Sequence, residues 1–237
     1  LANPTACDIM IRMSKRGQTR PTTATEQAFW VEGYTHVAGL DEAGRGAWAG
    51  PVYAAAVILP RMETTPATLQ AVRDSKTLSA QQREAAYDAI CAAASAVGVG
   101  WATAGEIDAR GIVPATRLAM CRALDALTVP AEALILDALT LPTVPLPQRA
   151  FPRADALSLS VAAAGIVAKV SRDRWMVESA ERAFHGYGFA QHKGYGTAQH
   201  REALQALGIC DIHRRTFRPV AARLFDLRSG PKGADSS

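Results

Sequence analysis

Residues 35–59, Thr-His-Val-Ala-Gly-Leu-Asp-Glu-Ala-Gly-Arg-Gly-Ala-Trp-Ala-Gly-Pro-Val-Tyr-Ala-Ala-Ala-Val-Ile-Leu, constrain the fold more than any other stretch of the chain. An apolar run from Val37 to Leu40 ends in two adjacent carboxylates, Asp41 and Glu42. Gly44, Arg45, Gly46 and Gly50 follow, Pro51 closes the turn, and a second apolar run begins at Val52. The pattern predicts a strand, an acidic tip, a glycine-rich connection and a second strand, paired as a hairpin. Carboxylates at the end of a buried strand are costly unless something pairs with them. Where several converge, a divalent cation is the usual partner. A loop of small residues lets a ligand approach the backbone closely. Together these features point to metal-assisted chemistry on a substrate with phosphates.

Gly44-x-Gly46-x-x-x-Gly50 after a strand also invites a dinucleotide reading. That fingerprint needs a helix directly after the loop, aimed at the pyrophosphate. Here Pro51 and a β-branched apolar run follow, and the two neighbouring acids repel a pyrophosphate.

The remaining elements follow from periodicity and caps. Gln27 to Tyr34 reads as a short helix. Ser79 caps a helix over roughly 80–96. Val97 to Thr103 reads as a strand and Ala104 to Gly111 as a turn. Ala115 to Leu127 is a core-facing helix striped by Leu118, Cys121, Leu124 and Leu127. Ala133 to Leu136 is a short strand ending at Asp137, and the proline-rich segment 140–152 is a loop with an edge strand. Leu157 to Phe184 is the longest helical pattern. Its first half is apolar and buried, while its second half, with Arg172, Asp173, Arg174, Glu178, Glu181 and Arg182, is expected to emerge into solvent. A glycine- and aromatic-rich loop over 186–196 precedes a helix from Ala198 to Leu207, closed by Gly208. Val220 to Leu227 forms the last helix.

At 237 residues and 49% hydrophobic content, the chain fits one domain with an ample core. No apolar run is long enough to span a bilayer, and the first twenty residues lack the apolar centre of a secretory signal. Cys7, Cys91, Cys121 and Cys210 are scattered, which suits reduced thiols in a cytoplasmic protein. His192, His200 and His213 with Cys210 match no standard zinc spacing. Charge is uneven: residues 1–20 carry +3, residues 21–168 carry −4 and residues 169–228 carry +5. The basic C-terminal third suits a polyanion. Residues 1–25 lack periodicity and read as a flexible basic tail, with a second tail over 229–237.

Three carboxylates sit at element ends. Asp41 and Asp137 each end an apolar strand, and Asp155 opens a buried helix, where the dipole favours an anion. If the strands are neighbours and the helix packs on their sheet, these residues meet and can share two metal ions about 3.5–4 Å apart. Other readings apply to the same residues. Asp155 suits a plain helix N-cap and Asp137 a turn opener. Asp41 and Glu42 face opposite sides of a regular strand, so the strand must end or bulge near Glu42 for both to reach one site. Lys76, in Asp74-Ser75-Lys76, reads from the residues alone as an ordinary surface lysine. His192-Lys193-Gly194-Tyr195 offers a cation and a ring for a nucleic acid, or a turn with a packed tyrosine.

Several motifs in order resemble the type 2 ribonucleases H, ribonuclease HII in particular. They are Asp41 to Val52, Asp74-Ser75-Lys76, the strand ending at Asp137, Asp155 to Asp173, Tyr187 to Thr197, and Ile212-His-Arg-Arg-Thr-Phe-Arg-Pro219. The resemblance implies a ribonuclease H-like mixed β-sheet flanked by helices: a catalytic domain over 26–185, with a C-terminal helical cap over 186–228 belonging to the same domain. It implies that Asp41, Glu42, Asp137 and Asp155 are catalytic and bind Mg²⁺ or Mn²⁺. It implies that Gly44, Arg45 and Gly46 recognise the ribonucleotide 2′-OH, which distinguishes RNA from DNA. Lys76 would contact a phosphate and Tyr195 would pack on a sugar. The implied reaction is cleavage of RNA–DNA hybrids, and of duplex DNA 5′ of an embedded ribonucleotide, leaving 5′-phosphate and 3′-OH ends. The implied state is a monomer with no obligate protein partner and no membrane. Three residues depart from the family pattern: Ala138 and Ala156, where Gly and Ser are common, and Gly165, where Ser is common.

Two readings from other classes remain. A catalytically silent hybrid-binding protein would favour basic residues where the four carboxylates stand. Another nuclease of the same fold, such as a resolvase or transposase, would not need the Gly-Arg-Gly loop or Tyr195.

Overall fold

The computed structural model describes residues 20–229. Most of the expected N-terminal tail and nearly all of the 229–237 tail lie outside the described residues. In chain order the elements are α1 (Ala24–Val31), β1 (Val37–Ala43), β2 (Val52–Ile58), α2 (Ala80–Ala93), β3 (Ala96–Ala102), α3 (Ala104–Arg110), α4 (Ile112–Asp125), β4 (Ala133–Asp137) and β5 (Gln148–Phe151). Then come α5 (Leu159–Trp175), α6 (Phe189–His192), α7 (Ala198–Leu207) and α8 (Arg218–Ser229). The five strands form one mixed sheet in the order β3-β2-β1-β4-β5. β1, β2 and β3 pair antiparallel, while β4 and β5 run parallel to β1. The expected mixed sheet flanked by helices is therefore what the chain forms.

β1 and β2 read as continuous apolar runs because both faces of the sheet are covered. On one face Ala55, Val57 and Leu59 pack with Ala162, Ala163, Ile166 and Val167 of α5 and Ile90 of α2. On the other, Leu40, Ala54, Ala56, Leu134 and Leu136 pack with Ala115, Ala119, Met120 and Ala123 of α4. Glycine permits the closest approach. A Cβ on Gly39 of β1 would overlap Ser160 and the Val161 amide in the first turn of α5. α5 is thus pressed against the centre of the sheet, two residues before Asp41.

Four expectations are corrected. Residues 104–111 are helical rather than a turn: Thr103 and Glu106 form a capping box that holds α3, although Gly105 weakens its helical pattern. Within the segment expected to be a loose tail, Thr22 exchanges backbone hydrogen bonds with Leu157 and Leu159. The Glu26 carboxylate, in α1, accepts from the Ser158 hydroxyl and from the Ser160 amide and hydroxyl. The chain from Thr22 onward is therefore anchored to the start of α5. Asp155 does not open that helix: it lies in a 3-10 turn, Ala154–Ala156, and Ser158 is the N-cap. Arg172, expected at the surface, is fully buried. The long helix continues past α5 as a π-helical turn, Met176–Ala180, and a last turn, Glu181–Ala183. The wider turn holds Met176 and Ala180 inward beneath the C-terminal cap.

Candidate active site

The site begins with strand register. Leu40 of β1 pairs with Leu136 of β4 in the parallel ladder. Asp41 and Asp137 are therefore the next residues on adjacent strands, side by side at the same edge. Leu40 and Leu136 face α4, so strand alternation turns Asp41 and Asp137 to the α5 face. There Gly165 makes room: a Cβ on it would overlap Asp41 Oδ2. The departure at 165 is thus a pocket occupied by the carboxylate.

Glu42 does not gain its place through a bulge. β1 stays paired with β2 through Ala43, with Glu42 opposite Ala54. The Glu42 side chain therefore leaves the strand on the side opposite to Asp41, one residue before β1 ends. Its Oε1 accepts from Arg45 Nη1 at 3.0 Å, while its Oε2 is buried without a partner. The Arg45 side chain is therefore engaged with Glu42. Asp137 Oδ1 accepts the Ala154 amide at 3.1 Å, which ties the end of β4 to the turn that carries Asp155.

The carboxylates act on one another. Burial, then Glu42, and to a lesser degree Asp137 and Asp155, hold Asp41 well above the ordinary carboxylate range, against a hydrogen bond from the Glu42 amide. Glu42 is raised, chiefly by burial, with Asp137 adding and Arg45 opposing. Asp155 is raised by burial, by Asp137 and by Asp74. Burial disfavours the Lys76 ammonium, yet Asp74, Asp155, Asp41 and Asp137 outweigh it and raise its pKa. Lys76 and Asp74 thus stand in the field of the same cluster. Asp74 is a participant that the residues alone did not single out; its signal was an Asx turn, in which Oδ1 accepts the Lys76 amide.

Oxygen donors, mutual repulsion and a buried orphan oxygen on Glu42 fit a hard divalent cation. Among the described residues, however, no group of three or more His, Cys, Asp or Glu side chains closes on one point as a metal cage would. The carboxylates share one field without converging.

The strand end is strained. Ala138 holds φ 56°, a left-handed conformation that alanine adopts at a cost of roughly 1 kcal/mol. Its amide donates to Phe151 O, and the Leu139 amide to Asp137 O. The geometry survives the loss of glycine. Ala138→Gly is expected to stabilise the protein by about 1 kcal/mol, read as a rise in denaturant midpoint with unchanged slope.

The Gly-rich loop has two kinds of glycine. Gly44, at φ 90°, lies against the buried guanidinium of Arg172. At Gly46 a Cβ would meet nothing within 4 Å, so nothing in the protein requires glycine there. The amides of Arg45 and Gly46 make no hydrogen bond among the described residues, and this side of the loop is open.

Tyr195 lies beyond the loop. Its ring sits 5.3 Å from both the Lys169 ammonium and the Arg172 guanidinium, so α5 links it to the carboxylate end of the sheet. His192, His200, His213 and Cys210 do meet, as a packed core. His192 Nε2 donates to Tyr187 O while its Nδ1 accepts the Gly194 amide. His200 Nδ1 donates to Tyr195 O, leaving its Nε2 to accept from His213 Nε2 at 3.1 Å, and His213 Nδ1 accepts the Cys210 amide. Every ring nitrogen is used, with burial pushing His200 and His213 down to about 4. This neutral network fixes the backbone at Tyr195.

Comparison with known proteins gives a consistent result. The profile of the family described as Ribonuclease HII matches residues 38–220. Ribonuclease HII of Chloroflexus aurantiacus is 53% identical over 208 residues, which is 87% of this chain and 98% of the relative. Among solved structures, ribonuclease H2 from Pyrococcus horikoshii OT3 is similar with a TM-score of 0.68 and 28% identity, over 81% of this chain and 98% of that one. The ribonuclease HII of Archaeoglobus fulgidus, solved in complex with PCNA, is similar with a TM-score of 0.62 and 26% identity, over 77% of this chain and 95% of that one.

Proposed function

This chain belongs to the ribonuclease HII family, hydrolases of the ribonuclease H class, and on that premise we propose that it cleaves the RNA strand of RNA–DNA hybrids and nicks duplex DNA 5′ of an embedded ribonucleotide. One observation carries the reading: Asp41 and Asp137 lie side by side at the ends of adjacent strands, beside an open turn whose Gly46 only a ligand would require. Asp41, Glu42, Asp137 and Asp155 are the candidate catalytic and cation-holding residues, and the raised pKa values of Asp41, Glu42 and Asp155 support a role completed by positive charge. Two divalent cations, Mg²⁺ or Mn²⁺, would supply charge neutralisation at the phosphodiester and a more acidic attacking water.

The protein's own residues do the rest. The turn of Gly44, Arg45 and Gly46 would recognise a 2′-OH, which a deoxyribose lacks, and the open Arg45 and Gly46 amides support that reading. Lys76 is held cationic within reach of the carboxylate cluster and suits a phosphate oxygen. Tyr195 offers a partly exposed ring for a sugar. The products would carry 5′-phosphate and 3′-OH ends, and the role would be ribonucleotide removal during replication and repair. Cys91, Cys121 and Cys210 are free thiols, which supports a reducing compartment, the cytoplasm. No helix among the described residues is long and apolar enough to cross a membrane. We take the enzyme to act as a monomer without an obligate protein partner; the PCNA complex of the Archaeoglobus relative makes a PCNA-like protein the first partner to test.

The test is cleavage of a labelled DNA duplex containing one ribonucleotide, with Mg²⁺, Mn²⁺ or EDTA, beside an all-DNA duplex. A metal-dependent nick 5′ of the ribonucleotide is expected. Cutting of the all-DNA duplex would point to a generic nuclease, and binding without cutting in either metal to a silent hybrid binder.

A further inference from the structure

Two arginines in the C-terminal half are fully buried, and among the described residues neither forms an ion pair with a carboxylate. Their donors go to backbone carbonyls instead. Arg214 Nε, Nη1 and Nη2 donate to Gly50 O, Arg45 O and Gly44 O at 3.0, 2.8 and 2.7 Å. Arg172 Nε, Nη1 and Nη2 donate to Pro51 O, Lys193 O and Ala49 O at 2.9, 2.9 and 3.1 Å. Six carbonyls from two loops are thus drawn inward onto two guanidiniums. A buried cation is expensive unless its donors are filled, so this is a demanding arrangement for a chain that needs only a stable core.

What the arrangement achieves is orientation. With the carbonyls of Gly44 and Arg45 turned in, the Arg45 and Gly46 amides are left on the open side. Arg172 alone spans both loops: it holds Ala49 and Pro51 of the glycine-rich loop and Lys193 of the tyrosine loop, and its guanidinium lies 5.3 Å from the Tyr195 ring. The loops are also joined directly, since Gly194 O accepts from the Trp48 and Ala49 amides. Close packing explains two glycines here. A Cβ on Gly44 would overlap Arg172 Nε, and one on Gly194 would overlap Ala49 O; both residues hold positive φ.

We propose that Arg172 is a positioning residue for ribonucleotide discrimination: its buried guanidinium sets the distance between the open amides of the Gly44–Gly46 turn and the Tyr195 ring, so that both engage one ribonucleotide together. This deepens the proposed function and rests on it for the identity of the substrate. Arg214 shapes the glycine-rich turn alone and serves as the comparison.

The test uses Arg172→Lys, which keeps the charge but cannot reach three carbonyls in a fork, with Arg214→Lys and Gly194→Ala beside it. The first readout is amide hydrogen exchange. Arg172→Lys is expected to speed exchange in both 44–51 and 193–197, Arg214→Lys only in the first, with α4 unchanged in each. The second readout is the ratio of binding affinities, measured in EDTA, for a duplex with one ribonucleotide against the same duplex in all-DNA form. Arg172→Lys is expected to reduce that ratio by about tenfold, as loss of a charged buried hydrogen bond would, while affinity for all-DNA is unchanged. Gly194→Ala keeps the Arg172 side chain but presses on Ala49 O, one of its acceptors, and so parts the same loops; should Arg172→Lys fail to fold, an unchanged affinity ratio in Gly194→Ala would overturn the proposal. Unchanged exchange in 193–197, an intact ratio, or an equal fall in both affinities would overturn the proposal. A wild-type protein with no ribonucleotide preference would instead sink the functional reading, while the exchange comparison would still decide whether Arg172 couples the loops.

Discussion

Asp41→Asn is expected to leave the protein more stable and inactive. Activity should fall by at least about 10²-fold, the scale on which removal of one preorganised electrostatic group is felt. The stability gain follows from the raised pKa of Asp41, caused first by burial and then by Glu42, Asp137 and Asp155. Because the folded-state pKa lies above the unfolded value of about 3.9, ionising Asp41 opposes folding. Below about pH 4 the carboxyl is protonated in both states and the substitution changes little. As pH rises above that, the wild-type protein bears a growing penalty that the amide does not, up to the folded pKa, beyond which the difference is constant. Thermal unfolding in EDTA at pH 8 and pH 4 checks this: the variant should melt higher at pH 8, by roughly 2–4 °C for each kcal/mol in a chain of this size, and alike at pH 4. A divalent cation that binds the folded state should then raise the melting temperature of the wild type more than that of the variant. A variant that keeps its activity, or that melts lower at pH 8, would remove Asp41 from the centre of the site.

Gly39→Ala is expected to be among the most damaging single methyls in the described structure. The new Cβ would overlap the Ser160 carbonyl carbon and hydroxyl and the Val161 amide, which are largely backbone atoms in the first turn of α5. They cannot swing aside as a side-chain end would. β1 is held on both sides, with Gly39 opposite Val57 of β2 and Ile135 of β4, so the strand cannot yield either. Helix and sheet must separate, which would also loosen the hydrogen bonds from Ser160 to Glu26. Overpacking of this kind costs about 3 kcal/mol, a fall of roughly 6–12 °C in melting temperature. Gly46→Ala is the control, since its methyl meets open space: its melting temperature should stay near wild type while binding of the ribonucleotide duplex weakens. If the two substitutions proved equally mild, the close seating of α5 on β1 would be wrong.

Much of the local structure was legible because it is written in short-range chemistry. The hairpin of β1 and β2 followed from two apolar runs around a glycine-rich turn. The start of α2 followed from Ser79, whose side chain does form a capping box with Gln82, and the end of α7 from Gly208. α3 was missed although Thr103 and Glu106 carry the capping pattern, because the helix is short and contains Gly105. Asp155 precedes the helix rather than opening it: an acid before an apolar helical run resembles a cap, and only the backbone shows that Ser158 takes that place.

The misplacement of Arg172 is the more instructive. Among Asp173, Arg174 and Glu178 it looks like one more charge on a wet surface, and periodicity cannot show that six carbonyls from distant loops await two guanidiniums. The basic bias of the C-terminal third was read as a surface for a polyanion, yet Arg172 and Arg214 in that third are used inside the protein.

What residue order alone settled was most of the elements, the four carboxylates at or near element ends and, through their spacing, the family. These depend on propensity, capping and periodicity, all of which act within a few residues. The gathering of those ends into one electrostatic field rests on the placement of β4 beside β1 and on the room that Gly165 leaves for Asp41, and the open face of the glycine loop rests on the inward turn of its carbonyls. Each joins residues far apart in the chain, and such contacts arise from packing and the satisfaction of buried polar groups in three dimensions, for which the linear pattern carries no signal.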